Sequence, residues 1–229
     1  MLHQPFLIDG QRLSVGCSIG FASFPYAGSS ASVIFDRADY ALYTVKADRR
    51  GAFAFFTPHL ETRLRTETEL EAALLSPDLT SELGIALQPI ICLRTAQVRG
   101  VEALARWHSA RIGDTDPTRF IDAAERLNIM GSITTTLFTK ALASMAVLPG
   151  DIGLSFNLST RDIVTSGTID MLIAAIVDQR VDPQRVTFEI TETALMQDYE
   201  TAIAHIERLR AMGVAIALDD FGTGFSSLS

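Results

Sequence analysis

The sequence predicts an α/β protein with a largely parallel sheet, preceded by a smaller α+β segment. From Gly84 onward the chain repeats strand-like apolar runs, and helical patterns separate the later runs. These runs end at Ile91, Leu104, Asn157, Ile190 and Leu218. Strands that alternate with helices pair in parallel through crossovers, so an open doubly wound sheet and a closed (β/α) barrel both fit this segment.

Composition divides the chain into two blocks that join near residues 57–82. In the first block, LSVGCSIGFASFP alternates as a strand does, ASVIFDRADYALYTVKADRRG has a helical period that ends at Gly51, and AFAFF is a short strand. The join, TPHLETRLRTETELEAALLSPDLTSE, is mostly charged and helical. We therefore expect a first domain over 1–56, a connecting helix over 57–82 and a second domain over 83–229.

Two helices of the second block carry clear end signals. The segment DPTRFIDAAERL has Pro117 at a suitable first helical position. The segment ETAIAHIERLRAMG places apolar residues on one helix face, and Gly213 predicts where that helix ends. The apolar positions on that face are Ile203, Ile206, Leu209 and Met212.

Composition and charge exclude several functional classes. The 229 residues are 48% hydrophobic and 20% charged, which is typical of a globular protein. The formal net charge of -8 offers no basic stripe to a nucleic-acid polymer, so a phosphate-bearing ligand would need a cation. The uncharged run from Leu13 to Phe35 is interrupted by glycines and Pro25, so we predict no transmembrane segment.

The N-terminus favours a cytoplasmic protein, and the cysteines lack the pattern of a metal site. The start, MLHQPFLIDGQRL, lacks a basic segment followed by an apolar one, so it does not resemble a secretory signal. Cys17 and Cys92 are the only cysteines, and they lie in apolar strand-like segments without metal-ligand spacing. We expect two free, buried thiols.

Four polar residues fall at the ends of predicted strands. Glu102, Asn157, Glu189 and Asp219 each lie within or just after an apolar run of a different strand. In a parallel barrel the carboxyl ends of all strands converge on one face, so these side chains would meet, which favours the barrel. Three carboxylates and an amide oxygen suit Mg²⁺ or Mn²⁺, and packed like charges need a cation or a proton.

Two further features near the strand ends suit a phosphate ligand. Arg106 carries a planar guanidinium that can hold a phosphate through two hydrogen bonds. Asp219 and Asp220 precede a loop in which Gly222 and Gly224 allow positive φ angles, so the loop can bend over the site. A phosphodiester is anionic and resists attack by water, so its hydrolysis needs a metal that acidifies water and neutralises phosphate charge.

Five motifs occur in the order and at the spacing of one known family. They are LQPI, EALARW, FNLS, FEITET and DDFGTGFSSL, from about residue 84 to the C-terminus. This segment resembles the EAL family of cyclic di-GMP phosphodiesterases. The resemblance implies a TIM-like (β/α) barrel, the EAL fold, with its first five strands in 83–229. Eight-stranded barrels need about 250 residues, so we expect an incomplete barrel, truncated after DDFGTGFSSL.

The resemblance also implies which residues bind metal. Glu102, Asn157, Glu189 and Asp219 match the metal ligands of the family. Asp220 matches a second aspartate, which helps to hold a second metal and the attacking water. The implied catalytic residues are therefore Glu102, Asp219 and Asp220.

Other matched positions concern the substrate and the loop after the fifth strand. Glu192 matches a glutamate that anchors this loop, which runs from Phe221 to Leu228. The family usually has an aromatic residue before the Gln-Pro pair, where this chain has Leu87. Substrate contacts are implied for Gln88, Leu104 and Arg106.

The first block resembles the last third of a different domain. SIGFASFP followed by ADYALYTVKADRRG is similar to the C-terminal part of a GGDEF domain, the diguanylate cyclase type. The cyclase signature of that family lies further N-terminal, and this chain contains no Gly-Gly pair. We therefore expect residues 1–56 to be a GGDEF remnant without cyclase activity.

The resemblance implies a role in bacterial signalling. The EAL domain of the parent protein would hydrolyse the second messenger cyclic di-GMP to linear pGpG, with Mg²⁺ or Mn²⁺. The later strands of the family bring a lysine near the attacking water, which neither Lys46 nor Lys140 matches, so we expect the 229-residue chain alone to be weak or inactive. We also expect a homodimer through the EAL domain, and any membrane tether would belong to parent segments before this chain.

Two alternatives stay open from the sequence. An EAL domain can bind cyclic di-GMP or dock a partner without catalysis, although the intact metal positions favour the enzyme. A carboxylate-rich barrel can instead bind Mg²⁺ for proton abstraction, as enolase-like enzymes do. Those sites usually place a lysine or histidine base at a strand end, and here only His108 lies near one.

Overall fold

The computed structural model describes four stretches of the chain: residues 6–9, 11–48, 51–191 and 198–219. Contacts divide the chain into two compact units, Met1–Glu69 and Leu70–Ser229. In the described stretches, no helix combines the length and the apolar character needed to cross a bilayer.

The first unit contains two small sheets and one long helix. Its elements are β1 (Phe6–Ile8), β2 (Gln11–Leu13), β3 (Ile19–Phe21), α1 (Ala31–Asp48), β4 (Phe53–Phe55) and the start of α2 (Pro58–Leu74). β1 pairs with β2 in antiparallel fashion, whereas β3 pairs with β4 in parallel across the α1 crossover. α1 packs closely on β3, since a Cβ added at Gly20 would lie 2.0 Å from the carbonyl oxygen of Ala38.

Three elements were expected in the first block, and the structure agrees with them to different degrees. The short strand in AFAFF is confirmed. The strand expected over LSVGCSIGFASFP is largely wrong, because within it only Leu13, the last residue of β2, and Ile19–Phe21 pair with other strands. The described part of the predicted helix ends at Asp48, and Gly51 lies in a turn with a φ of +83°.

The connecting segment forms two helices where one was expected. α2 ends at Leu74, and the short α3 begins at Leu79. Pro77 lies between them, and proline both lacks a backbone N–H and disfavours helical geometry at the preceding residue. The charged pattern therefore predicted helix correctly on both sides but did not locate the break.

The second unit contains one mixed β-sheet and several α-helices. Its elements after α2 are α3 (Leu79–Glu82), β5 (Leu83–Cys92), β6 (Gln97–Ser109), β7 (Gly113–Thr115), α4 (Pro117–Arg126), α5 (Met130–Ser144), β8 (Gly153–Leu158), α6 (Thr160–Val164), α7 (Ser166–Asp178), β9 (Val186–Thr191), α8 (Tyr199–Ala211) and β10 (Ala215–Asp219), with 3-10 turns at Met145–Val147 and Pro183–Arg185. The strand order is β10-β9-β8-β6-β5, and β7 pairs with the end of β6.

Strands β6, β8, β9 and β10 are neighbours in the sheet in this order. They run parallel to one another, as the alternating pattern predicted. β5 is antiparallel to β6, because only the turn 93–96 separates the two strands and no helix crosses over. The observed sheet is consistent with a partial TIM-like fold, so the α/β prediction is confirmed.

Alternating side chains in β8 and β9 separate the core from the opposite face of the sheet. Phe156 and Phe188 are buried, and both contact Phe138 of α5, with ring centroids 5.1 Å and 5.0 Å apart. Because strand side chains alternate, Asn157 and Glu189 project to the other face. Because the phenylalanines face the helices, the polar residues of β8 and β9 lie together on the opposite face of the sheet.

The helix ends follow the sequence signals closely. Asp116 caps α4 by accepting a hydrogen bond from the Thr118 N–H, with Pro117 at the first helical position. Gly213 follows α8 with a φ of +101°, a conformation that suits glycine. Leu209 on the predicted apolar face is fully buried.

The cysteines are free but not buried as expected. Cys17 is exposed and Cys92 is partly exposed. Cys17 lies in an irregular segment before β3, and Cys92 is the last residue of β5 beside a turn. Neither position places the thiol in the core of its unit.

Candidate metal and substrate site

The predicted metal ligands come from four neighbouring parallel strands. β6, β8, β9 and β10 lie side by side in the sheet. The register pairs Glu102 with Ser155, Asn157 with Glu189, and Asp219 with Thr191. Since residues two apart on a strand share a face, Ser155 and Asn157 lie on one face, and the predicted ligands all belong to it.

Two of the predicted ligands contact each other directly. The Asn157 amide Nδ2 donates a hydrogen bond of 2.8 Å to Glu102 Oε1. An amide that donates through nitrogen leaves its carbonyl oxygen Oδ1 available as an acceptor or metal ligand. The bond links β6 and β8 at the carboxyl end of the parallel sheet.

The third ligand position, Glu189, lies among like charges. Burial raises the pKa of the Glu189 carboxyl, and the negative charges of Glu102 and Asp219 raise it further. A hydrogen bond with Ser155 acts in the opposite direction on this pKa. Glu189 therefore lies within electrostatic range of Asp219 on the adjacent β10 and of Glu102 on β6, one strand beyond the adjacent β8.

The donor set fits a divalent cation in its chemistry. Within the described ranges, no three His, Cys, Asp or Glu side chains stand close enough together to hold a metal ion. Carboxylate and amide oxygens are nonetheless the donors that Mg²⁺ and Mn²⁺ prefer. A cation bound beside Glu189 would offset the repulsion from Glu102 and Asp219 that contributes to raising the Glu189 pKa.

The predicted substrate residues lie beside this cluster on β5 and β6. Gln88 is exposed and stands opposite Glu102 in the antiparallel register. Leu104 and Arg106 follow Glu102 at intervals of two, so they share its face. Arg106 is exposed, and its Nη1 donates a 2.7 Å hydrogen bond to the Ala105 carbonyl.

Sequence reasoning missed two supporting residues. Ser155 is buried and holds Glu189 by a hydrogen bond, and its position two residues before Asn157 was the available signal. Asp162 is also buried, and its Oδ2 accepts hydrogen bonds from the Ser159 and Thr134 hydroxyls, of 2.8 Å and 2.7 Å. The Ser159–Asp162 capping box fixes the start of α6 directly after the Asn157 strand.

Several predicted residues lie outside the described residues. They are Glu192, Asp220 and the loop 221–228. Lys140 lies on α5, as expected, and its Nζ donates hydrogen bonds to the carbonyls of Thr80 and Leu83. Lys140 therefore ties α5 to α3 and to the first residue of β5.

A cavity of about 640 Å³ opens between the helices of the same unit. It is lined by the 74–80 segment, the start of α5, and parts of α6 and α7. The described residues that line it include none of the predicted metal or substrate residues. The cavity is therefore separate from the strand-end cluster.

Comparison with known proteins identifies the family. Residues 69–229 match the EAL domain, and the chain belongs to the EAL domain family. An uncharacterized signaling protein of Caulobacter vibrioides is 34% identical over 229 residues, which are 100% of this chain and 28% of that protein. The cyclic di-GMP phosphodiesterase PdeR of Escherichia coli K12 is 31% identical over 231 residues, with 100% of this chain and 35% of that protein covered.

A solved structure supports the same conclusion. The PaMucR phosphodiesterase in complex with c-di-GMP has 32% sequence identity and a TM-score of 0.58, covering 64% of this chain and 63% of that chain. The family expected from the five motifs is thereby confirmed. This chain spans about a third of the length of the curated relatives it matches.

Proposed function

We propose that the EAL domain containing these residues hydrolyses cyclic di-GMP to linear pGpG in a metal-dependent reaction. The observation that carries this proposal is the hydrogen bond between Asn157 and Glu102 beside Glu189, whose carboxyl pKa is raised by burial and by the charges of Glu102 and Asp219. The similarity to PdeR and PaMucR supports the choice of cyclic di-GMP as the substrate.

The cation would be held by the oxygens of the strand-end cluster. Glu102, Asn157, Glu189 and Asp219 are the proposed ligands, and Asp220 is a further one by family resemblance. When bound, Mg²⁺ or Mn²⁺ supplies charge neutralisation for the phosphodiester and acidifies the attacking water. Asn157 orients the Glu102 carboxylate through its hydrogen bond.

The side chains beside the cluster would position the dinucleotide. Arg106 is exposed and offers a guanidinium to one phosphate, while Gln88 and Leu104 lie on the same side of the β5–β6 pair. A guanidinium holds phosphate without metal, so the anionic substrate has an anchor apart from the cation. By family resemblance, Glu192 holds the loop after β10.

The domain organisation and assembly belong to the same proposal. We assign 1–56 to the C-terminal part of a GGDEF-like domain, 57–82 to the connection and 83–229 to the EAL domain. The parallel β3–β4 pair with its α1 crossover supports the first assignment. We also propose a cytoplasmic protein that dimerises through the EAL domain in bacterial signalling.

Turnover tests the function directly. The full-length gene product is incubated with Mn²⁺ and cyclic di-GMP, and linear pGpG is followed by chromatography. Wild type should form pGpG only with metal, and Glu102→Gln should abolish turnover. Glu207→Gln, an exposed substitution on α8, serves as the matched control and should retain the wild-type rate. Metal-independent turnover, or full turnover in Glu102→Gln, would contradict the proposal.

Nucleotide binding separates the substrate anchor from the metal site. Arg106→Ala should remove a charged hydrogen bond of about 1.5–3 kcal/mol and weaken cyclic di-GMP binding roughly ten- to hundredfold. Its Mn²⁺ affinity should stay unchanged. Arg94→Ala, at the turn on the opposite end of the β5–β6 pair, is the control. Tight nucleotide binding without any product would instead support a non-catalytic cyclic di-GMP sensor.

A further inference from the structure

A serine and a histidine form a pair away from the strand-end cluster. Ser166 is the exposed first residue of α7, and His205 lies buried on α8. The Ser166 Oγ is 3.1 Å from His205 Nε2. The other ring nitrogen, Nδ1, is 2.7 Å from the carbonyl oxygen of Ile163.

The Ile163 carbonyl fixes the proton positions in this pair. A carbonyl oxygen only accepts hydrogen bonds, so His205 Nδ1 carries the proton. In the neutral ring Nε2 then has a free lone pair, and the Ser166 hydroxyl donates to it. The result is a nucleophile, a base and a group that orients the base, in the order that nucleophilic catalysis uses.

The surroundings of Ser166 leave room for a reacting carbonyl group. A Cβ added at Gly167 would meet no atom within 4 Å. Thr165 and Gly167, the two chain neighbours of Ser166, line the 640 Å³ cavity, whose walls include the apolar side chains of Leu79 and Met171. The N–H groups of Thr168 and Ile169 donate to the Thr165 carbonyl, so the backbone donors nearest the hydroxyl besides these are those of Ser166 and Gly167.

We propose that Ser166, with His205 as its general base, is a nucleophile toward small acyl esters. The Ser166 oxygen bonds to the ester carbonyl carbon while its proton moves to His205 Nε2. The bond from that carbon to the alcohol oxygen breaks, and the alcohol leaves with the proton. Water then releases the carboxylic acid and restores the serine. This activity is independent of the proposed phosphodiesterase reaction.

The test uses the intact chain, without metal or cyclic di-GMP. Acylation by p-nitrophenyl acetate is followed as release of p-nitrophenol, and a fluorophosphonate probe is mapped by peptide mass spectrometry. Wild type should label at Ser166, and Ser166→Ala should lose the label. Ser32→Ala should label as wild type, because Ser32 is exposed near the start of α1, does not line the cavity and has no histidine partner among the described residues.

A histidine variant separates catalysis from simple packing. In His205→Asn the amide nitrogen can still donate to the Ile163 carbonyl, but the base is lost. Labelling should fall by about a hundredfold or more while the melting temperature stays close to wild type. No labelling of Ser166 in wild type, or equal labelling in His205→Asn, would overturn the proposal and leave a structural hydrogen bond.

A cysteine pair keeps the test decisive if His205→Asn fails to fold. Ser166→Cys and Ser32→Cys each place one new thiol at an exposed position near a helix start. A neighbouring imidazole favours the thiolate, so Ser166→Cys should react with iodoacetamide at least tenfold faster than Ser32→Cys. Equal rates at the two positions would refute the activation by His205.

Discussion

Phe138 provides a quantitative test of how the sheet is held beneath the candidate site. Its side chain is fully buried, and its ring contacts Phe156 of β8 and Phe188 of β9 at 5.1 Å and 5.0 Å. Truncating a buried phenylalanine to alanine costs about 3–5 kcal/mol, and each ring pair contributes roughly 0.5–1.5 kcal/mol of interaction. With two ring partners lost together, we expect Phe138→Ala to cost about 4–5 kcal/mol.

Urea unfolding followed by tryptophan fluorescence measures this loss. Trp107 is the only tryptophan and lies buried in the same core cluster, so it reports on the second unit. With a urea dependence of about 2 kcal/mol per molar, the midpoint should fall by about 2 M. The control Tyr199→Ala truncates an exposed aromatic residue and should stay within about 0.5 kcal/mol. A loss below about 1 kcal/mol for Phe138→Ala would refute the packing argument.

The remaining predictions concern a thiol, a buried carboxyl and a close backbone contact. Hydrogen bonds from Thr95 lower the Cys92 pKa to about 7, so the rate of Cys92 alkylation by iodoacetamide should rise with pH with a midpoint near 7. Thr95→Ala should move this midpoint to higher pH. An unchanged midpoint would contradict the role of Thr95. Burial raises the pKa of Asp162, so its contribution to stability is present at low pH and is lost as pH rises through the folded-state pKa. Asp162→Asn should therefore gain stability relative to wild type as the pH rises above the unfolded-state Asp pKa of about 4. A relative loss in urea unfolding over this rise in pH would exclude that sign. Gly20→Ala would place a Cβ 2.0 Å from the Ala38 carbonyl oxygen, which would push β3 and α1 apart. Amide hydrogen exchange in α1 should therefore become faster. Unchanged protection of the α1 amides would contradict the close packing.

Periodicity in the sequence predicted the parallel sheet and the strand-end residues. Val186, Phe188 and Ile190 alternate with polar residues in β9, so one face had to meet the helices and Glu189 had to lie on the other. Crossover helices then required neighbouring strands to run in parallel. These constraints depend only on local sequence pattern and on chain connectivity, so they can be predicted from the sequence.

Contacts that depend on register or on packing between helices were not available from the sequence. Ser155 supports Glu189 only because β8 and β9 pair in one particular register. Ser166 and His205 lie 39 positions apart on different helices, and no periodic pattern connects them. The sequence also did not show that β5 and β6 pair in antiparallel fashion, because an apolar run does not indicate the direction of its strand.

Manganese binding tests the central claim that the strand-end oxygens form a divalent cation site. The full-length gene product is titrated with Mn²⁺, and free metal is measured by its electron paramagnetic resonance signal. We predict binding in wild type, weakened by about tenfold or more in Glu189→Gln, and unchanged in the exposed control Glu207→Gln. Equal affinity in wild type and Glu189→Gln would contradict the assignment of these residues as metal ligands.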